Sequence, residues 1–407
     1  MVPTDGQRVA RTRLQAACWL GMVVFAASVA IPGICLPQIG DEFGLALGTR
    51  GLLGSLRMAA LLLALLTSGY LADRFGKVAF LTGGMALAAL GLAGTPLARQ
   101  YGPLLAAQAV VGLGMGAMEA LINPLVAELH PDSPARPLNI TNGLFSVGLV
   151  AAALLSGEML EAWQSWRATF LVWVVPALVT AALFASRRYP RAERGGDAGD
   201  GTAFLRKPLF WALMGAMVIA GGCEAGMTFW SASFMEHLLG ASTRGGAMTV
   251  AFFGAAMAAG RFATGGLVAK FEPLALTVLS AVGYTVATAG LCFSEAEGPG
   301  LVLIGLSGLF VACFWPTILA VATQRVQAGS TTMFALLAAA GISGCIVFPW
   351  AIGAIGDAAG LRLGVALLPA AMVIEGALLV AVWRALRDAD RASRRSAPHL
   401  VSRSHQS

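Results

Sequence analysis

The sequence predicts an all-α membrane protein whose twelve transmembrane helices form two pseudo-symmetric six-helix bundles. Three observations carry that reading. The 407 residues are 57% hydrophobic and only 12% charged, about half the charged fraction of a soluble domain. The apolar residues fall into twelve runs, each near the roughly 20 residues that a spanning helix needs. The second half of the chain repeats features of the first in the same order.

In chain order the predicted spans cover 14–36, 51–71, 78–97, 103–127, 138–159, 167–186, 209–233, 246–266, 273–293, 300–323, 331–355 and 363–386. The first run follows basic residues. It is longer than a signal-peptide core and lacks a small-x-small cleavage site, so it reads as a span. The 50 glycines fit membrane helices, where glycine is more frequent than in soluble ones. Connections are short except for the Gly-, Asp- and Arg-rich stretch Ser186–Pro208. The expected organisation is therefore an N-terminal bundle over 1–186, a linker over 187–208, a C-terminal bundle over 209–386 and a tail over 387–407. With the N-terminus inside, twenty Lys and Arg fall on the inner side and five, Arg50, Arg99, Arg167, Arg244 and Arg362, on the outer side. The positive-inside rule then places both termini and the linker in the cytoplasm, with the chain in the inner membrane.

The internal repeat holds a nearly constant offset. "GYLADRF" at 69–75 is answered by "GGLVAKF" at 265–271, an offset of 196. Gly112, Asn123 and Pro124 are answered by Gly305, Trp315 and Pro316 at 193 and 192, and Gly157–Glu158 by Gly356–Asp357 at 199. Parallel six-span halves related by an axis along the membrane normal are a transporter architecture, with the solute site at the midplane between them.

Composition excludes other classes. The net charge of +6 sits in loops and tails, where it sets orientation rather than binding nucleic acid. The six cysteines are scattered singly through apolar runs and only four histidines occur, so neither a disulfide framework nor a metal centre is expected. No Ser–His–Asp set or phosphate-binding G-x-x-x-x-G-K-[ST] loop is present, so no enzyme, no ATP coupling and no cofactor are expected.

One short stretch interrupts the apolar pattern. "GYLADRFGK" puts Asp73, Arg74 and Lys77 between Gly69 and Gly76 in the turn after the second span. The glycines allow sharp turning and close approach, and Glu128, at the inner end of the fourth span, is the nearest acidic partner for Arg74. The stretch resembles the G-x-L-a-D-R-x-G-R-K signature of the major facilitator superfamily, with Lys77 in a place usually held by Arg. The second copy lacks the acid, Ala269 standing there, as the family's second copies do. The resemblance implies a cytoplasmic gate made of Gly69, Asp73, Arg74, Gly76 and Lys77. Asp73 and Arg74 would then meet the other half near span 11, or neighbouring loop charges, when the outward-open state forms.

Five further segments resemble the fucose-permease-like sugar–proton symporters of that family. They are "GLGMGAMEALINPLVAEL" (112–129), "ARPLNITNGLFSVG" (135–148), "GGCEAGMTFWSASFM" (221–235), "AAGRFATGGL" (258–267) and "GLFVACFWPTILA" (308–320). Glu119 matches that branch's acid in the fourth span. The Asp which the branch carries in the first span has no counterpart here, which separates this chain from fucose itself.

Ionisable side chains within spans are costly and mark function. Glu119 and Asn123, four apart, share a helix face. Glu119 reads as a proton or solute site, or else as an interhelical hydrogen bond. Glu224 lies among Gly221, Gly222 and Gly226 and can stand in for the missing first-span acid. Arg261 in the next span is within side-chain reach of Glu224. Arg57, in the outer third of span 2, lies too far from Glu119 to pair with it, and either binds solute oxygens or snorkels outward. Glu375, in the peripheral twelfth span, reads as a structural contact or a modestly buried polar face. Asn142, Trp230 and Trp315 complete the expected cavity, with Trp315 an aromatic platform opposite the polar Asn123 cluster.

The expected function is secondary active transport of a small polar solute, a sugar or related compound, by alternating access with proton symport. Its partners are the solute, protons and the lipid bilayer, and the chain is expected to be a monomer. The alternative is proton-antiport efflux, although the GPxxGG-type antiporter segment is absent from "NGLFSVGLVAAALLSG".

Overall fold

The computed structural model describes residues 5–130, 135–185, 203–267, 270–326 and 331–396. These residues form helices joined by short turns, with no strand among them. Twelve helices are long and apolar enough to cross a membrane. In order, spans 1 to 12 are Val9–Ile34, Leu47–Phe75, Lys77–Leu97, Tyr101–Leu129, Arg136–Trp163, Trp166–Phe184, Pro208–Leu239, Thr243–Leu267, Pro273–Phe293, Glu297–Arg325, Thr332–Ala359 and Leu361–Arg391. Most overshoot the apolar runs. A 29-residue helix such as Leu47–Phe75 is about 43 Å long, against a hydrocarbon layer of about 30 Å. Its ends therefore reach the headgroup level.

Prolines divide the helices where their ring displaces the carbonyl four residues back. Span 6 is broken between Leu171 and Val174, four residues before Pro176. Its pseudo-symmetry mate, span 12, is broken between Val365 and Leu367, four residues before Pro369. Span 10 is interrupted at Ala312–Cys313, before Pro316, whereas Pro124 leaves span 4 continuous from Tyr101 to Leu129.

Three connections differ from expectation. The turn after span 1 forms a short helix, Leu36–Glu42, led by Pro37. The linker ends in a 3-10 turn, Ala203–Arg206, and its residues 187–202 lie outside the described segments. The expected tail is helical as far as Ser396, because Arg325 at the end of span 10 clamps Asp390 through two hydrogen bonds of 2.6 and 2.8 Å.

The halves meet chiefly through spans 2 and 11 and through spans 5 and 8, with span 1 against span 7. Polar contacts between the halves gather at the end predicted to lie outside. Asp357, at the end of span 11, accepts hydrogen bonds from the backbone N–H of Leu47 (2.6 Å) and Gly48 (2.8 Å) in the first turn of span 2. Glu158, near the end of span 5, pairs with Arg244 in the first turn of span 8 at 2.7 Å. These two acids are the pair matched at offset 199, so the sequence repeat reappears as two related clasps. Gln38 reaches Glu236 at 3.4 Å, and Ser55 donates to the Ile346 carbonyl at 2.5 Å.

Four of the five outer arginines are anchored at this end. Arg50 pairs with Asp41 at 3.0 Å, and Arg244 with Glu158. Arg362 donates to the carbonyls of Cys292 and Ser294. Arg167 forks onto Glu42 at 2.7 and 2.5 Å and lies 4.4 Å from the centre of the Trp166 ring. The Arg167 guanidinium holds the Glu42 carboxyl below its ordinary value.

Candidate transport site

Span 4 carries Glu119 about 27 Å from its Tyr101 end, and span 7 carries Glu224 about 24 Å from its Pro208 end, at 1.5 Å per residue. Both therefore sit near mid-depth. Each is half-buried, and the two lie within electrostatic reach of one another across the interface between the halves. Glu119 makes no hydrogen bond among the described residues. Glu224 pairs with Arg261 of span 8 at 3.8 Å, the partner expected from helix depth.

Cys345 of span 11 stands at the centre of this group. It lies within electrostatic reach of Glu224, Arg57 and Glu119, and its Sγ is 3.3 Å from the Gly221 carbonyl of span 7. A lone cysteine in an apolar run gave no functional signal. The usable clue was Gly341 and Gly344 just before it, which let spans 7 and 11 touch: a Cβ on Gly344 would lie 1.9 Å from the Val218 carbonyl.

The two asparagines come together. Asn142 donates to Asn123 Oδ1 at 3.1 Å and to the Leu138 carbonyl at 2.9 Å, which joins span 5 to span 4 one turn beyond Glu119. Trp315 is half-buried, with its ring against Gly341 and its indole N–H buried without a partner among the described residues.

Three expectations change. Trp230 is 1% exposed, donates its indole N–H to the Pro349 carbonyl at 2.9 Å and meets Phe229 edge-on. It is thus held in helix packing rather than on a cavity wall. Arg57 does not snorkel: it is 2% exposed, and its Nε and Nη1 have no hydrogen-bond partner among the described residues. Glu375 is 0% exposed, and neither carboxyl oxygen finds a partner among the described residues. It is buried far more deeply than a modestly buried polar face, and Cys223, Tyr284 and Cys313 all lie within its electrostatic reach.

At the opposite end, Gly76 takes φ +88° between spans 2 and 3 and returns its N–H to the Ala72 carbonyl. That conformation requires glycine. Gly69 is inside the helix, and a Cβ added there would meet nothing within 4 Å, so no close approach exists at this position in this state. Asp73 and Arg74 are exposed, and Arg74 lies over Phe75 at 5.6 Å. Glu128 pairs with Lys77 and not with Arg74. Lys77 opens span 3, which runs antiparallel along span 4 and so brings the lysine level with Glu128.

Two halves of helices that meet along paired spans and bring charged groups together at mid-depth define a multi-pass membrane protein. The chain belongs to the Major Facilitator Superfamily, whose family model matches residues 18–303, and its relatives are transporters rather than enzymes. It is 24% identical over 388 residues to the L-fucose-proton symporter of Escherichia coli K12, covering 85% of this chain and 87% of that one. A match to the cis,cis-muconate transport protein of Acinetobacter baylyi is 29% identical over 171 residues and spans 40% of each protein. Among solved structures, the fold is similar to a bacterial homologue of the human lysosomal transporter Spinster, inward-facing and occupied. The TM-score is 0.80 at 19% identity, over 92% of this chain and 97% of that one.

Proposed function

We propose that this chain moves a small polar solute by alternating access, coupled to proton symport. The observation that supports it is the pair of half-buried acids, Glu119 and Glu224, contributed by opposite halves at mid-depth within electrostatic reach. A proton on one relieves its repulsion of the other. Loading and unloading that proton therefore biases how closely the halves approach at this level. Arg261 offers Glu224 a competing cation, and movement of spans 7 and 8 alters that competition. Asn123, Asn142 and Trp315 are proposed to hold the solute's polar groups and its apolar face.

The end carrying the clasps is proposed to be periplasmic, so that the structure is the inward-facing form. Gly69, Asp73, Arg74, Gly76 and Lys77, with Glu128, are proposed to gate the cytoplasmic end, and the open space around Gly69 is where the other half would arrive on closure. Similarity to a fucose symporter and to a muconate transport protein supports a small polar solute, with sugars and organic acids both to be tested.

The test uses proteoliposomes loaded with a pH-sensitive dye and challenged with sugars, polyols and organic acids. Symport moves protons in with an added solute, and Glu119→Gln is expected to abolish that movement while the protein remains folded. Proton exit on solute entry would favour antiport instead. Full proton-driven accumulation by Glu119→Gln would remove Glu119 from the mechanism.

A further inference from the structure

We propose that Arg57 is the recognition site for a carboxylate on the transported solute, which makes the cargo class a small organic acid with an apolar body. The inference rests on the transport reading above and deepens it by naming the cargo.

A guanidinium is always charged and carries five N–H donors. Burying one costs several kcal/mol unless it is paired, and buried charges in proteins are accordingly matched. Arg57 breaks that rule: it is 2% exposed and forms no ion pair or hydrogen bond among the described residues, with Nε and Nη1 both buried and unpartnered. Among the described residues, the ionisable side chain within its electrostatic reach is the Cys345 thiol. An arginine buried at such cost within a span points to a function.

The setting supplies the ligand's shape. Arg57 lines a small cavity at the seam of the two halves, shared with Val29 of span 1, Met58 of span 2, Phe229 of span 7, and Cys345 and Pro349 of span 11. The walls are otherwise mostly apolar, so the guanidinium is the strongest polar feature facing the space. Its planar fork fits a carboxylate through two parallel hydrogen bonds, and the apolar walls suit a hydrocarbon or aromatic body. With the outer end closed, the free volume is about 20 Å³, room for roughly one water and not for a solute. Phe229 accounts for the closure: its ring presses on span 2 so tightly that a Cβ on Gly54 would lie 2.8 Å from it. Separation of spans 2 and 7 at the outer end withdraws that ring and enlarges the space around Arg57. The closed form shown here is then the one in which the carboxylate has been displaced. Cys345 links the cavity to Glu119 and Glu224, so an acid bound at Arg57 adjoins the proposed proton-carrying pair.

The test is thermal-shift and calorimetric titration of the purified full chain at pH 7 with acetate, benzoate and succinate. Each is compared with its neutral amide, acetamide, benzamide or succinamide, and sodium chloride is the control for any anion. At least one carboxylate is expected to stabilise the protein where its amide and chloride do not. Arg57→Gln is expected to weaken that Kd roughly 10- to 100-fold. Arg57→Lys, which keeps the charge but not the fork, should recover part of it. Arg57→Met is expected to unfold, without ligand, at no lower temperature than the wild type while losing the carboxylate response; a structural arginine would instead leave this variant less stable. Equal shifts by acid and amide, no carboxylate response in the wild type, or undiminished binding by Arg57→Gln would each overturn the proposal. Those outcomes leave proton-coupled transport untouched, because the dye assay with Glu119→Gln reads it independently with neutral solutes.

Discussion

Asp357→Ala is expected to move the conformational equilibrium toward the form open at the clasped end. Its carboxylate accepts two backbone N–H groups, Leu47 at 2.6 Å and Gly48 at 2.8 Å, at the start of span 2. Those donors are among the four that a helix leaves unsatisfied at its N-terminus. Removing a cap of this kind costs about 0.5–2 kcal/mol, and the favourable charge at the helix N-terminus adds about 0.3–1 kcal/mol. Asp357 is exposed, so water replaces part of the loss, and about 1–2 kcal/mol remains. The contact bridges the halves and is lost when they separate at this end, so the whole amount acts on the conformational ratio. That is roughly a 5- to 30-fold gain in the open form. Spin labels on cysteines introduced at Leu97 and Glu295, in surface segments of opposite halves at this end, report the distance distribution. Glu158→Ala is the internal control. Its pair with Arg244 has both side chains more than half exposed, and such pairs are worth about 0–1 kcal/mol, so its shift should be several-fold smaller. Identical distance distributions for wild type and folded Asp357→Ala, or a larger shift from Glu158→Ala, would refute the reasoning.

Gly76→Ala is expected to destabilise by about 1–3 kcal/mol through backbone strain alone, since φ is +88° and an added Cβ would meet nothing within 4 Å. Gly76→Ser should lose a similar amount in thermal unfolding, and an unchanged midpoint for both would show the turn can relax. His130 sits just beyond span 4, with Arg11 donating to its Nδ1 at 2.7 Å and its Nε2 2.8 Å from Gln15 Oε1. Arginine only donates, so the ring is neutral with its proton on Nε2. Burial and then the Arg11 charge lower its pKa below the ordinary 6.5. This contribution is fully present above about pH 6.5 and is lost as pH falls through the lowered value. A His130 ring titrating above 6.5 by NMR would contradict the tautomer. Glu42 follows the same direction in a more acidic window: Arg167 lowers its pKa from 4.5, so that cluster holds down to about pH 4.5 and loosens below it. Comparing wild type with Glu42→Gln across pH 3–6 by thermal shift checks this, and a difference confined to pH above 5 would sink it.

The spans and the internal repeat were legible because hydropathy run length is a property of one segment at a time. Depth along a helix was legible for the same reason: 1.5 Å per residue placed Glu224 and Arg261 within reach, and they meet at 3.8 Å. The three- and four-residue helical period likewise set Glu119 and Asn123 on one face. Choice of partner was not legible, because it depends on how neighbouring helices rotate. Glu128 therefore faces Lys77 rather than Arg74, and Trp230 is held by Pro349. Burial of Glu375 and Arg57 without partners was also unreadable, since a single sequence gives the residue but not the walls around it. Cys345 was missed because its importance comes entirely from three helices converging on it.

The two clasps are related by the repeat yet differ in chemistry: one is a carboxylate docked on backbone amides, the other a pair of solvated side chains. Mobile ions dampen only the second appreciably. Raising ionic strength should therefore weaken the Glu158–Arg244 clasp by at most its ~1 kcal/mol, while the Asp357 clasp and the helix packing of both seams persist.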